Sequence, residues 1–224
     1  MHITNPHTAP THTHENGVQS TMLHTTDNGP HSSILKAPPR EPGLSRPHSH
    51  TATEEIFNLG PPFTFDKGRT LPRYGYTKYP AGMVHGADVD LPEGYHLYVR
   101  MSGPSEIHFP EININDPQPF TPLEGYTFVA SADENWPENP GPNLGQNIQT
   151  RTLSYNPKTQ KGAFLARLPA NTTLNLPPAA TELLIVEGSL THENNTLTPG
   201  THIHTAQGLN LTASAPSLVF IHQD

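Results

Sequence analysis

The chain contains no cysteine. Disulfides, thiolate catalysis and cysteine-ligated zinc are therefore excluded, although the compartment is not fixed by that alone. Basic residues are scarce: 12 Lys and Arg stand against 20 Asp and Glu, for a formal net charge of −8 with histidines neutral. There is no Lys/Arg cluster, so neither nucleic acid nor an anionic membrane is expected as a partner. No apolar run approaches the ~18 residues that span a bilayer. The opening MHITNPHTAPTHTHENG has neither the basic stretch nor the apolar core of a secretory leader. A cytoplasmic protein is the expectation. Three N-x-[ST] sequons, at Asn171, Asn194 and Asn210, are read as products of an Asn/Thr-rich composition rather than as glycan acceptors.

What is abundant points the other way from long helices. There are 26 Pro and 17 Gly in 224 residues. Proline breaks helix interiors and central strands alike, so many short strands joined by turns are expected. Apolar residues make up 33% of the chain, enough for a modest core. Residues 1–16 are polar and His-rich without periodicity, and are read as a flexible tail, His12 and His14 included. From Val18, VQSTMLHT and SSILKAP flank TDNGPH, a hairpin signal with Asn-Gly at its centre. The Pro/Asn-rich stretch after residue 110 reads as a long connection.

After Asn147 the pattern repeats. IQTRTLSYNPKTQKGAFLARLP lies over VQSTMLHTTDNGPHSSILKAP at an offset of about 130 residues. Two units follow: residues 17–110 and 148–224, joined by a segment over 111–147.

Between Gly43 and Gly86 lies the stretch that carries chemistry. His48 and His50 are two apart, Glu54 follows, and His85 comes later. In a strand, residues i and i+2 share a face, so the two imidazoles can address one point. Three imidazoles and a carboxylate form a reasonable shell for a divalent first-row metal. Glu55 competes with Glu54 for the carboxylate position. Tyr76, His96, Tyr98 and Arg100, on the flanking strands, are candidates for orienting the imidazoles.

Gly43, His48, His50, Glu54 and Gly60, then Gly75, Pro80, Gly82 and His85, resemble the two signature motifs of the cupin family, with some glycine spacings one residue short. The resemblance implies an all-β chain of two tandem RmlC-like jelly-roll barrels, a bicupin. It is similar to the ChrR-like cupins, on TELLIVEGSL and LTPGTH as well. Carried over by position, His48, His50, Glu54 and His85 are the implied ligands of one divalent metal per chain. Fe(II) is favoured over Zn, Mn or Ni. In the second copy Asn175, Pro177, Thr181 and Leu211 stand at the ligand positions and Glu182 opposite Glu55, so this copy reads as a degenerate one that takes no metal. His202 and His204 there are read as solvated or inter-barrel residues. The implied activity is that of a non-haem, dioxygenase-like enzyme acting on a small diketone- or hydroxyketone-like substrate. The alternative is a non-catalytic metal- or ligand-binding ChrR-like regulatory cupin. A homodimer is consistent with either.

Overall fold

A computed structural model describes residues 1–40, 46–66, 68–86, 89–112, 120–130, 136 and 144–224. Gly43 of the first motif and much of 111–147 lie outside the described residues. Among the described residues there are strands and turns and no α-helix, as the proline content dictates. None is long and apolar enough to cross a membrane as a helix.

The chain divides into two compact units. The N-terminal unit comprises Pro10–Ala132. Its main sheet has seven strands in the order Thr127–Val129, Tyr76–Tyr79, Glu54–Asn58, Tyr95–Met101, His31–Ala37, Gln19–Thr25 and Thr11–Thr13. Alternation sorts its side chains. Leu97, Val99 and Met101 join Ile56 and Tyr79 in the buried interior cluster, whereas Tyr98 and Arg100 pair across the strands with Phe57 and Glu55 on the other face. Short pairs, Ser49–His50 with Ile107–His108 and Phe63–Thr64 with Thr70–Leu71, complete the unit.

The C-terminal unit comprises Met1–Ala9 and Asp133–Asp224. A six-stranded sheet runs His2–Thr4, His202–Thr205, Thr181–Glu187, Ser217–Gln223, Lys161–Leu168 and Gln149–Asn156. A four-stranded sheet of Thr173–Leu176, Leu209–Ala213, Leu190–His192 and Asn195–Leu197 accompanies it. The interior is rich in leucine, with Leu174, Leu183 and Leu211 fully buried. Five central strands follow the same order in both units. Even an irregularity repeats: the first hairpin of each unit has a bulge, between Met22 and His24 and between Thr152 and Ser154. The residues these bulges pass over, Leu23 and Leu153, are both buried.

The opening residues are not a free tail. His2–Thr4 pairs with His202–Thr205 at the edge of the C-terminal sheet, and Thr11–Thr13 pairs with Gln19–Thr25 at the edge of the N-terminal one. His14 N–H donates to the Val18 carbonyl (2.8 Å), and Gly17, at φ 79°, closes the turn. Edge pairing is backbone to backbone and needs no apolar side chains, so hydrophobic patterning gives no sign of it.

Candidate metal centre

His48, Ser49 and His50 form a short extended stretch. His48 bridges to His85 through two backbone bonds, His48 N–H to His85 carbonyl (3.0 Å) and His85 N–H to His48 carbonyl (2.9 Å). Pro80 and Gly82 explain why the second motif has its spacing. Met83 N–H reaches back to the Pro80 carbonyl (3.0 Å) around Gly82 at φ 80°, a turn that needs a residue tolerant of positive φ. Gly82 N–H then donates to the His50 carbonyl (2.8 Å), which ties the turn to the first motif. Gly86 sits at φ 77°, and a Cβ there would meet His48 Cε1 at 3.0 Å. A side chain at residue 86 would therefore collide with the ring beside it.

This backbone brings His48, His50 and His85 together, with one ring nitrogen from each within 4.8 Å of the others. Glu54, at the start of its strand and facing inward, places Oε2 2.9 Å from His85 Nε2 and 3.6 Å from His50 Nε2. His50, Glu54 and His85 are buried, and His48 is half-buried.

The outer nitrogens are all engaged. His48 Nδ1–H donates to the Arg46 carbonyl (3.0 Å) and His85 Nδ1–H to the Met83 carbonyl (3.0 Å). His50 Nδ1 lies 3.1 Å from the Ser105 hydroxyl, which accepts when this ring takes the same tautomer. Protonation at Nδ1 leaves each Nε2 with its lone pair turned inward. His50 Nε2, His85 Nε2 and Glu54 Oε2 are buried without a hydrogen-bond partner. The His85–Glu54 separation is short enough for a hydrogen bond, but its angles are not those of one. Leaving such atoms unsatisfied costs about 1–3 kcal/mol each. Three lone-pair donors converging at that cost, alongside His48, fit a divalent metal with an N/O shell.

The electrostatics agree with this. Burial, then the neighbouring His85, lowers the His48 pKa below the ordinary imidazole value, and burial does the same at His50. At Glu54 burial pushes upward, but the close approach of His85, with help from His50 and His48, outweighs it and holds the carboxyl below its usual range. His85 mirrors this: burial pushes it down, yet Glu54 and the Met83 carbonyl raise it above the usual value.

Glu55 is not part of this group. It points to the other face, where Tyr76 donates its hydroxyl to Oε2 (2.7 Å) and Arg100 Nη1 lies 3.6 Å from Oε1. The four residues suggested as orienting groups share that face. Tyr76 and Arg100 hold Glu55, and Tyr98 pairs across the sheet with Phe57. His96, half-buried beside Lys36, has its pKa lowered to about 4 by burial and that charge. Strand alternation is the reason: every one of them has the parity of Glu55, not of Glu54. The groups that do support the imidazoles are Arg46, Met83, Ser105, Asp66 and Tyr79. Four of these act through a carbonyl or from outside the motifs, where residue identity carries little signal. In the C-terminal unit, His202 is buried and its Nε2 lies 3.1 Å from Glu182 Oε2, so it is not solvated.

No protein-family profile matches the chain, and no curated protein sequence matches it. Solved structures do. A proposed dioxygenase from Nostoc punctiforme superimposes with a TM-score of 0.79 at 15% identity, covering 100% of this chain and 82% of that one. A bacterial pirin from Escherichia coli, solved in complex with nickel(II), gives 0.63 at 13% identity over 99% of this chain and 97% of the other. Salicylate 1,2-dioxygenase from Pseudoaminobacter salicylatoxidans, solved in complex with gentisate, gives 0.57 at 14% identity over 88% and 69%. At these identities the likeness is one of fold: an all-β chain of two cupin-type jelly-roll barrels.

Proposed function

We propose that the N-terminal barrel binds one divalent metal through His48, His50, Glu54 and His85, and that the protein is a dioxygenase-like enzyme for a small oxygenated substrate of the diketone or hydroxyketone kind. Convergence of the buried, hydrogen-bond-free His50 Nε2, His85 Nε2 and Glu54 Oε2 carries the reading. Fe(II) is the favoured ion, with Zn, Mn or Ni as alternatives of the same ligand preference. When bound, such a metal supplies a Lewis-acidic centre and a template for substrate and co-reactant.

The chain's own residues do the rest. The Nδ1 acceptors fix ring tautomers, so no reorganisation is needed on binding. Glu54 supplies one negative charge, which leaves a divalent site net positive and suited to an enolate-like oxygen pair. Next to His48, a cleft of about 520 Å³ is lined by Arg46, Pro47, Pro110 and Glu111. The Arg46 guanidinium lies 4.6 Å from the ring centroid of Phe109, whose ring is 6.1 Å from His48.

The test is metal analysis of anaerobically purified protein, then oxygen uptake with β-diketones and hydroxyketones. Bound iron with substrate-dependent uptake is the expected result. Absence of any tightly bound metal ends the reading. Metal without turnover on any member of the panel favours the non-catalytic, regulatory reading.

A further inference from the structure

We infer that Asp66 is a positioning residue for His85, acting on the loop that carries the imidazole and on the ring that covers it. The inference rests on the metal-binding reading above only for what His85 is positioned to do.

Asp66 follows the Phe63–Thr64 strand, at φ 66°, a conformation Asp tolerates better than most residues. Its backbone is fixed on the far side by Arg69 N–H donating to the Asp66 carbonyl (2.9 Å) and by Phe65 N–H donating to the Arg69 carbonyl (2.8 Å). The carboxylate therefore turns inward and is buried, with 6% of the residue exposed. Oδ1 accepts the Gly86 N–H at 2.7 Å. Gly86 directly follows His85 and packs against the His48 ring, so this bond pins the loop between Asp66 and a second imidazole.

The same carboxylate acts electrostatically on the Tyr79 hydroxyl. Tyr79 lies flat on His85, ring centroids 4.2 Å apart and planes 19° from parallel. Asp66 thus pins the backbone beside His85 and stands beside the aromatic plate that covers its face. The bond from His85 Nδ1 to Met83 sets which nitrogen faces inward. It leaves the tilt of the ring about that bond free, and the tilt is what the plate and the pinned loop define.

The test compares full-length Asp66→Ala, Asp66→Asn and Tyr79→Phe with the unsubstituted chain. Cobalt(II) is the probe, read by chelator competition and by its visible ligand-field bands. Histidine ring resonances of the metal-free protein are followed by NMR. Asp66→Ala is expected to weaken cobalt by about 10- to 100-fold, the range for loss of an outer partner, to shift the bands and to broaden the His85 resonances. Asp66→Asn keeps an acceptor for Gly86 N–H and should recover most of the loss. Tyr79→Phe keeps the plate but removes the hydroxyl that Asp66 acts on, and should fall between. A folded Asp66→Ala with unchanged bands and unchanged His85 resonances overturns the proposal, whatever its thermal stability. If Asp66→Ala does not fold, Tyr79→Phe decides: unchanged bands and resonances there overturn it as well. If the unsubstituted chain takes up no cobalt, the metal reading fails by itself. The resonances of the metal-free proteins then still show whether Asp66 orders His85.

Discussion

Each barrel carries a glutamate that faces away from its interior, near the start of the same central strand. In the N-terminal unit Glu55 takes the Tyr76 hydroxyl at 2.7 Å and sits opposite Arg100. In the C-terminal unit Glu182 meets His202 at 3.1 Å and sits opposite His222. Chemistry on this face has drifted, Tyr and Arg against two His, but the arrangement persists. The interior faces differ in kind. Glu54, facing inward, pairs with Met101 and Tyr79; Thr181, in the matching place, pairs with Gln223 and Thr205. Where His48 bridges to His85, Leu174 pairs with Leu211, and both leucines are fully buried. One scaffold thus encloses either a dry leucine core or a set of unsatisfied lone pairs. A retained outer pair speaks for the fold, whereas the polar interior has no structural need and calls for a ligand.

The largest expected effect separates these interiors. His85→Ala removes a donor from the centre and should lower metal affinity by more than about 100-fold, beyond what losing an outer partner costs. Glu54→Gln should follow it, while Glu55→Gln should leave stoichiometry at one metal per chain. Titration calorimetry with metal analysis checks all three. Two tightly bound metals per chain, or metal retained in His85→Ala, would erase the distinction between the barrels.

The candidate residues are legible in the sequence because short-range rules set their spacing. The i, i+2 spacing of His48 and His50, and the turn that Gly82 permits before His85, are local. The same rule decided between neighbours: Glu54 and Glu55 differ by one step of alternation, which is fixed only once the strand's register with Tyr76–Tyr79 is known. That register also misplaced the orienting groups. Tyr76, Tyr98 and Arg100 have polar heads that suit such a role, but parity sends them to the other face. In the second copy the same one-residue ambiguity appears. Asn175 and Pro177 are exposed, and the inward places belong to Leu174 and Leu176. Asp66 and Ser105 could not be found from spacing, because they reach the centre through tertiary folding.

Next in size are changes to stability that leave the metal alone. Arg100→Met strips Glu55 of its buried cation and should destabilise the protein by roughly 3–5 kcal/mol. Leu211→Ala opens a cavity in the leucine core and should cost about 2–5 kcal/mol. Urea unfolding gives both numbers. The comparison sharpens if neither variant alters metal content, and weakens if Leu211→Ala does.

Acidification should act on the N-terminal centre alone. His85 is raised above its ordinary value, so as pH falls its proton competes with the metal before those of the other imidazoles. His48 and His50 are lowered and stay neutral longer. The sign follows: affinity is greatest when His85 is already deprotonated, and falls with pH by about tenfold per unit once that group binds its proton. The slope should then steepen as the other imidazoles take theirs. Proton release on metal binding, measured in two buffers of different ionisation enthalpy, should increase as pH falls and His85 takes up its proton. Affinity undiminished down to about pH 4 would sink the imidazole shell.

The smallest effect belongs to the first nine residues. His2–Thr4 adds only a short edge strand, and its side chains are largely exposed. It contributes a few backbone bonds to His202–Thr205, each worth about 0.5–1.5 kcal/mol net and offset in part by the entropy of ordering the segment. Deleting residues 1–9 should therefore lower stability by about 1–2 kcal/mol. That loss should fall on the C-terminal unit, whose sheet edge it uncovers, so amide exchange should quicken in His202–Thr205 and remain unchanged in Glu54–Asn58. Metal affinity should also be unchanged, because every donor and every outer partner of the centre lies within Pro10–Ala132. Faster exchange in both sheets, or loss of metal on this deletion, would mean that the two units do not behave as separate bodies.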